Sequence, residues 1–436
     1  MTDSLAIVRP RWQRWLPFLA GAPALTTRQW RVLGLVSLAS LFDQYDISLF
    51  GMALPQIQAG LGVSEADVGW LGSILRLGAL PALFIALAAD RIGRRRALLL
   101  TVLGYTVLTG ATAFAPDPRS FVVLQFLARV FGTAEMLLAV VVISEELDPA
   151  SRGWGIGAFF AIKSCGVGLA AMLLPLAAGS PQGWRGLYLV GLAPLLVIAW
   201  LRRSLPETAR FEARARVDEL GLWLPVRRLA RAYPGRFAAT CGIALAITVG
   251  IAAADLMGPK YLQQAHGWSP GQVSLLYIAG GAFAICGAPI AGALSDRFGR
   301  RRLTVFAGAA LAALFLAFYN SAGLWLAPLW IALIFLLVGH ETLLSTYGAE
   351  LFPTSHRSTS AGARLVVGTL GGALGLGLES VLYGVTGSHW SAISLLLGVT
   401  LLAPLIVAFA LPETAGRSLE EISPEHDETP LERKIA

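Results

Sequence analysis

Twelve apolar blocks, each long enough to cross a bilayer, constrain this chain more than any other feature of its sequence. They run over about 32–57, 67–89, 97–115, 119–145, 155–178, 185–203, 237–263, 270–294, 303–320, 324–351, 361–386 and 390–411. A transmembrane helix needs about 20 predominantly apolar residues. Only 14% of the 436 residues are charged and 56% are hydrophobic, whereas a soluble domain is about 25% charged. The fold class expected is all-α, a polytopic membrane protein with twelve transmembrane helices.

The net charge of +7 is a matter of placement. With the N-terminus inside, the segments on that side hold 27 of the 34 Lys and Arg. Four more lie within spans (Arg76, Arg129, Lys163, Arg364) and three fall outside (Arg119, Arg185, Lys260). That is the positive-inside pattern. It puts both termini in the cytoplasm of a cell-membrane protein and argues against a nucleic-acid partner. The stretch RPRWQRWLPFLAGAPA at 9–24 loosely mimics a signal peptide, but its apolar part is short and holds Pro17, so a cytoplasmic amphipathic lead-in is expected. Cys165, Cys241 and Cys286 all fall inside apolar blocks, which implies no disulfide framework. Trp70, Trp154, Trp184, Trp268 and Trp390 stand near span ends, where interfacial anchoring explains them.

The chain repeats itself. ADRIGRRRALLL at 89–100 returns as SDRFGRRRLTVF at 295–306, EELDPASRG at 145–153 as AELFPTSHRS at 349–358, and LPETAR at 205–210 as LPETAG at 411–416. Three motifs in one order at nearly one offset divide the protein into two six-helix bundles. The organisation expected is an N-terminal segment 1–31, a first bundle 32–203, a basic linker 204–236, a second bundle 237–411 and a tail 412–436.

These residues resemble the major facilitator superfamily over nearly the whole chain. The Asp-Arg-x-Gly-Arg-Arg-Arg loops look like its signature. The Glu-x-x-Pro-x-x-Arg-Gly, Glu-Leu-Phe-Pro-x-x-x-Arg and Pro-Glu-Thr segments look like its sugar-porter-like and metabolite–proton symporter branches. The resemblance implies a secondary transporter working by alternating access, without cofactor or metal, with the lipid bilayer, protons and a small molecule as partners, and as a monomer. It also implies a cytoplasmic gate made of Asp90, Arg91, Gly93, Arg94, Arg95, Glu146 and Arg152 in the first half. In the second half the gate is Asp296, Arg297, Gly299, Arg300, Glu350 and Arg357. Gly93 and Gly299 supply the sharp reversal, Asp90 and Asp296 can approach a helix N-terminus, and the arginines can pair with Glu146 and Glu350. The competing reading is that the arginines, Arg96 and Arg302 above all, only set topology.

Ionisable groups inside a span cost about 2.5–3.5 kcal/mol each and usually face a cavity or a partner. The first block carries two, Asp43 and Asp46, in SLFDQYDISLFGMALP at 40–55, with no other charge from Val32 to Ile57. Three apart on a helix, they share a face. Arg76, Arg129, Glu135 and Lys163 add to them in the first half; Asp255, His340, Glu341 and Glu379 are thinner in the second. The resemblance implies that Asp46, with Asp43 beside it, carries the proton and that Arg129 is its partner. Two neighbouring carboxylates cannot both ionise cheaply, so one proton becomes switchable. A purely structural alternative is that both acids neutralise Arg76 and Arg129.

Arg76 and Lys163, with Glu135, His340 and Glu341, are the candidate substrate contacts. The cations favour a small organic anion, and DQYD at 43–46 looks like the Asp-Gly-Tyr-Asp segment of organic-acid proton symporters. A sugar or polyol symporter, an exporter and a non-transporting sensor are the other readings. Against a sugar, the seventh block lacks the sugar-porter Gln-Gln-x-x-Gly-x-Asn. An enzyme is not expected: GAFFAIKS at 157–164 has Ile162 where a phosphate loop needs glycine.

Overall fold

A computed structural model of the chain describes residues 7–8, 23–179, 181–203, 223–353, 356–417 and 419–422. The leader-like stretch up to 22 and the Pro-Glu-Thr segment at 205–210 lie outside the described residues, as do the side chains of Asp90 and Arg91. Contacts divide the chain into two units. Unit 1 is Met1–Ser64, Ile74–Val217 and Trp268–Ser274; unit 2 is Glu65–Ser73, Asp218–Gly267 and Leu275–Ala436.

Among the described residues, the helices as far as 203 are α1 (Thr27–Met52), α2 (Leu54–Leu61), α3 (Val68–Leu77), α4 (Ala82–Ile92), α5 (Arg94–Thr112), α6 (Pro118–Glu146), α7 (Pro149–Leu173), α8 (Pro175–Gly179) and α9 (Trp184–Arg202). A two-residue bridge pairs β1 (Ile7–Val8) with β2 (Leu25–Thr26) ahead of them. Local sequence sets the ends. Thr26 and Gln29 form a capping box at the start of α1, and Asp117 and Ser120 form one at the start of α6; each satisfies backbone N–H groups a helix leaves open. Pro55 begins a new helix after Met52, and Pro81 separates α3 from α4, since proline cannot donate into a continuing ladder. The core of unit 1 gathers Val36, Ala97, Leu138, Ile143 and Phe159.

Unit 2 continues with α10 (Trp223–Ala232), α11 (Pro234–Lys260), α12 (Pro270–Phe298), α13 (Arg300–Tyr319), α14 (Leu326–Glu350), α15 (Arg357–Thr386), α16 (His389–Thr400), α17 (Leu402–Ala410) and α18 (Leu419–Ile422). Pro404 stands just inside α17 and marks the break in the last span. Its core gathers Ile243, Tyr347, Leu351, Phe352 and Val407.

Among the described residues, eleven segments are long and apolar enough to cross a membrane, and they coincide with eleven of the expected spans. The twelfth is α5, whose 19 residues open on Arg94, Arg95 and Arg96 and include Thr101, Thr106, Thr109 and Thr112. Thr106 and Thr112 donate their hydroxyls to carbonyls of their own helix, on Val102 and Leu108. The helix therefore hides polar groups that lower its average hydropathy. Outward faces are apolar in both units: Phe84 and Phe114 in the first, Ile285, Phe306 and Phe409 in the second, are each more than two-thirds exposed. A water-soluble monomer rarely shows such a surface. This is an integral membrane protein.

Candidate functional site

The two aspartates of α1 are buried, Asp43 at 3% and Asp46 at 4% exposure, but they meet different partners. Asp43 pairs with Lys163 of α7 at 3.5 Å, and that ammonium also meets the Met136 sulfur at 3.0 Å. Room for the Asp43 carboxylate comes from Gly132 on α6: an added Cβ would lie 3.0 Å from the carboxyl carbon and closer still to Oδ1. Asp46 faces Arg129 of α6, with Gln125 and Thr109 flanking it. Its Oδ1 is nevertheless buried without a hydrogen-bond partner among the described residues. Asp43, Asp46, Tyr105, Gln125 and Arg129 line a cavity of about 10 Å³, about the volume one water needs. Tyr105 closes one wall by donating to the Phe42 carbonyl at 2.8 Å.

Glu135 does not join this group. It is 1% exposed, accepts the Thr101 hydroxyl at 2.8 Å and pairs with Arg202 at 2.6 Å. Arg202 is itself sealed and also donates to the Leu35 carbonyl at 3.2 Å. With both neighbours inside the bundle, Glu135 has no face for a ligand. Arg76 is half-buried at the end of α3, while its neighbour Leu75 lines the cavity. His340 and Glu341 diverge: His340 is buried against Gly308 of α13, and Glu341 lines a cavity of about 280 Å³ in unit 2.

At the end carrying the repeated loops, Gly93 (φ 96°, ψ 143°) and Gly299 (φ 95°, ψ 139°) share one conformation, a region that is essentially glycine-only. In unit 2, Arg300 bridges Asp296 at 3.1 Å and Glu350 at 2.6 Å, and the Thr414 hydroxyl donates to Glu350 at 2.7 Å. In unit 1 the pairing shifts by one residue. Arg94 meets Glu145 at 3.4 Å, and Glu146 is taken by Arg28 of α1. Arg95 donates to the Arg203 carbonyl at 2.6 Å and Arg357 to that of Phe352 at 3.2 Å. Arg297 lies over the Phe298 ring, and Arg152 keeps a buried Nε with no hydrogen-bond partner among the described residues.

The carboxylate that caps a helix here is Glu413 of the second Pro-Glu-Thr segment; the Asp296 side chain is 70% exposed. Glu413 accepts the N–H of Arg300 at 2.8 Å and of Arg301 at 3.2 Å at the start of α13, and those of Thr414 and Ala415 at 3.0 Å. Partial burial pushes the Glu413 carboxyl up, but the N–H groups of Ala415, Arg301, Arg300 and Thr414 together outweigh it and hold it below the usual range.

A second polar cluster in unit 2 escaped the sequence reading. His389 places Nδ1 at 2.5 Å from Glu379 and Nε2 at 3.0 Å from Glu65, and Lys260 pairs with the same Glu65. Each contact needs a proton donor, so the ring carries two protons or shares one with a carboxylate. Glu65 and His389 are 324 residues apart, and both lie at span ends, where charge reads as a boundary. The one local signal was Glu379, an acid inside a span.

The sequence matches a family model over most of its length. The model of the Major Facilitator Superfamily covers residues 36–339 and 240–434. The chain belongs to that superfamily. It is 28% identical over 389 residues to a gallate transporter of Pseudomonas putida, covering 80% of this chain and 84% of the relative. It is 27% identical over 368 residues to a cis,cis-muconate transport protein of Acinetobacter baylyi, covering 79% and 86%. Among solved structures, a D-xylose-proton symporter aligns with a TM-score of 0.74 at 16% identity, covering 89% of this chain and 99% of that one. This superfamily member is thus a membrane transporter of small molecules and not an enzyme.

Proposed function

We propose that the protein is a proton-coupled symporter of a small organic anion, with Asp46 as the proton carrier. The observation that carries the reading is that Asp46 Oδ1 is buried with no hydrogen-bond partner among the described residues, in the cavity that Arg129 also lines, while the neighbouring Asp43 is already balanced by Lys163. A proton arriving at Asp46 gives that oxygen a covalent partner and releases the pull on Arg129. The freed cation then favours a different arrangement of the spans. The cations of the spans, Arg76 and Lys163 among them, favour an anionic cargo, and the names of the gallate and cis,cis-muconate relatives support the same class. One proton moving with one monovalent anion carries no net charge, so the pH gradient drives accumulation, about 1.4 kcal/mol or tenfold per pH unit.

The remaining assignments belong to the same proposal. The protein works as a monomer in the cell membrane with both termini cytoplasmic, and segments 1–31, 204–236 and 412–436 flank bundles 32–203 and 237–411. The pairs Arg94–Glu145, Arg28–Glu146 and Arg300–Glu350 act as the cytoplasmic gate. The paired side chains are 9–36% exposed, and opening the gate separates them. The test is uptake into proteoliposomes under an imposed inward proton gradient. Wild type accumulates an organic acid and loses the accumulation with a protonophore; Asp46→Asn fails to accumulate it yet still exchanges it across the membrane. Equal accumulation by the two proteins would sink the assignment.

A further inference from the structure

The 280 Å³ cavity of unit 2 is lined by Thr240, Ile243 and Ala244 of α11, by Glu341, Leu344, Ser345 and Gly348 among the residues of α14, and by Arg364 of α15. It is just under the ~300 Å³ at which drug-sized sites begin, whereas the aspartate cavity of unit 1 holds about a water. The larger cavity has the size of one small ring or short chain. Beside the hydroxyls of Thr240, Ser345 and Tyr347, its walls carry charge at two places. One is Arg364, which spends a donor on the Leu344 carbonyl at 3.1 Å out of the five a guanidinium carries. The other is Glu341, whose side chain is exposed on the same face of α14, since positions 341, 344, 345 and 348 follow helical spacing.

Gly348 explains how the arginine is held. An added Cβ there would come within 3.0 Å of the Arg364 guanidinium carbon, so only the missing side chain lets the planar group lie along α14. Arg364 therefore touches α14 at 344 and 348, and Glu341 stands roughly 5–10 Å farther along at about 1.5 Å per residue. The cavity thus offers a fork of N–H donors at one end and a carboxylate acceptor at the other. A carboxylate ligand would be attracted to the first and repelled by the second. A hydroxyl at the ligand's far end would satisfy the second.

We propose that this cavity holds a small hydroxylated organic acid, its carboxylate paired bidentately with Arg364 and its distal hydroxyl donating to Glu341. The inference rests on the organic-anion reading above and deepens it by moving the anchoring cation from Arg76 and Lys163 to Arg364. Arginine suits the task because its fork matches a carboxylate, which lysine's point charge does not. Gly348 is then a positioning residue.

The experiment is equilibrium binding of 4-hydroxybenzoate and benzoate to the purified full-length protein in lipid nanodiscs, with monodispersity checked by size exclusion. Wild type binds 4-hydroxybenzoate more tightly than benzoate. Arg364→Gln weakens both by roughly 10–100-fold, the effect of losing one charge-assisted pair, and Arg364→Lys restores only part. Glu341→Leu, which removes the acceptor, abolishes the preference while benzoate affinity holds or improves, an outcome a merely structural glutamate would not give. Gly348→Ala, which crowds the guanidinium without removing it, weakens both acids and serves if Arg364→Gln does not stay monodisperse. Wild-type affinity in Arg364→Gln, or in Gly348→Ala where that variant stands in, overturns the proposal but leaves the organic-anion reading standing. If wild type binds neither acid, and the uptake panel of aliphatic and aromatic acids also yields none, the organic-anion reading falls and this site with it.

Discussion

Arg202 is fully buried inside unit 1. It and Glu135 are sealed together, at 0% and 2% side-chain exposure, with Thr101 completing the carboxylate's contacts. Removing one partner of a buried pair leaves an uncompensated charge and costs about 3–5 kcal/mol, whereas replacing both partners is often close to neutral. Arg202→Met is therefore expected to lower the thermal midpoint of the purified protein sharply. The double variant Arg202→Met, Glu135→Gln should recover most of the loss. Equal destabilisation of single and double variants would show that Arg202 acts through its backbone carbonyl contacts instead. At the same scale, that Gly132 makes space for Asp43 depends on how α1 and α6 approach.

At the scale of an element, α13 shows how a short motif controls a helix end. Its first N–H groups point at Glu413, and negative charge there complements the helix dipole. Because the folded Glu413 carboxyl is held below the ordinary glutamate value of 4.5, the unfolded chain binds its proton more readily. Its contribution to stability is complete above that ordinary value and is lost as pH falls through the lower folded one. The thermal midpoint of wild type should exceed that of Glu413→Gln at pH 7, and the gap should close as the acid limb below about pH 4.5 is crossed. A gap that stays constant with pH would mean that the glutamine side chain loses packing rather than charge. The motif's recurrence in the sequence marked it as worth having, but nothing local said which helix it serves.

For the whole molecule, the basic residues carry the prediction. If both ends of the chain are cytoplasmic, alkaline phosphatase fused after Ile422 should be inactive and a green fluorescent protein fused there should glow; fusion after Gln182, in the loop before α9, should give the reverse. Phosphatase activity at Ile422 would invert the assigned topology and, with it, the side on which the gate pairs lie. Twelve spans, two repeats and the matching glycine turns were all legible without coordinates, because hydropathy and motif recurrence are carried by residues near one another in the chain. The assignment of Arg94 to Glu145 and of Arg28 to Glu146 was not, since adjacent helix positions point about 100° apart and a small rotation changes the partner.

By itself, then, the sequence determined that this chain must lie in a membrane as long helices, that its halves repeat, and that Asp43 and Asp46 share one helix face. A charge count and a period are enough for those, because burying a charge or a bare backbone group in lipid is costly wherever it occurs. Tertiary structure alone decided which aspartate Lys163 neutralises, that Glu135 belongs to Arg202, and that Glu65, Lys260, Glu379 and His389 meet. Such pairings join residues of different elements, and their geometry follows from helix rotation and close approach at glycines, which no local pattern encodes.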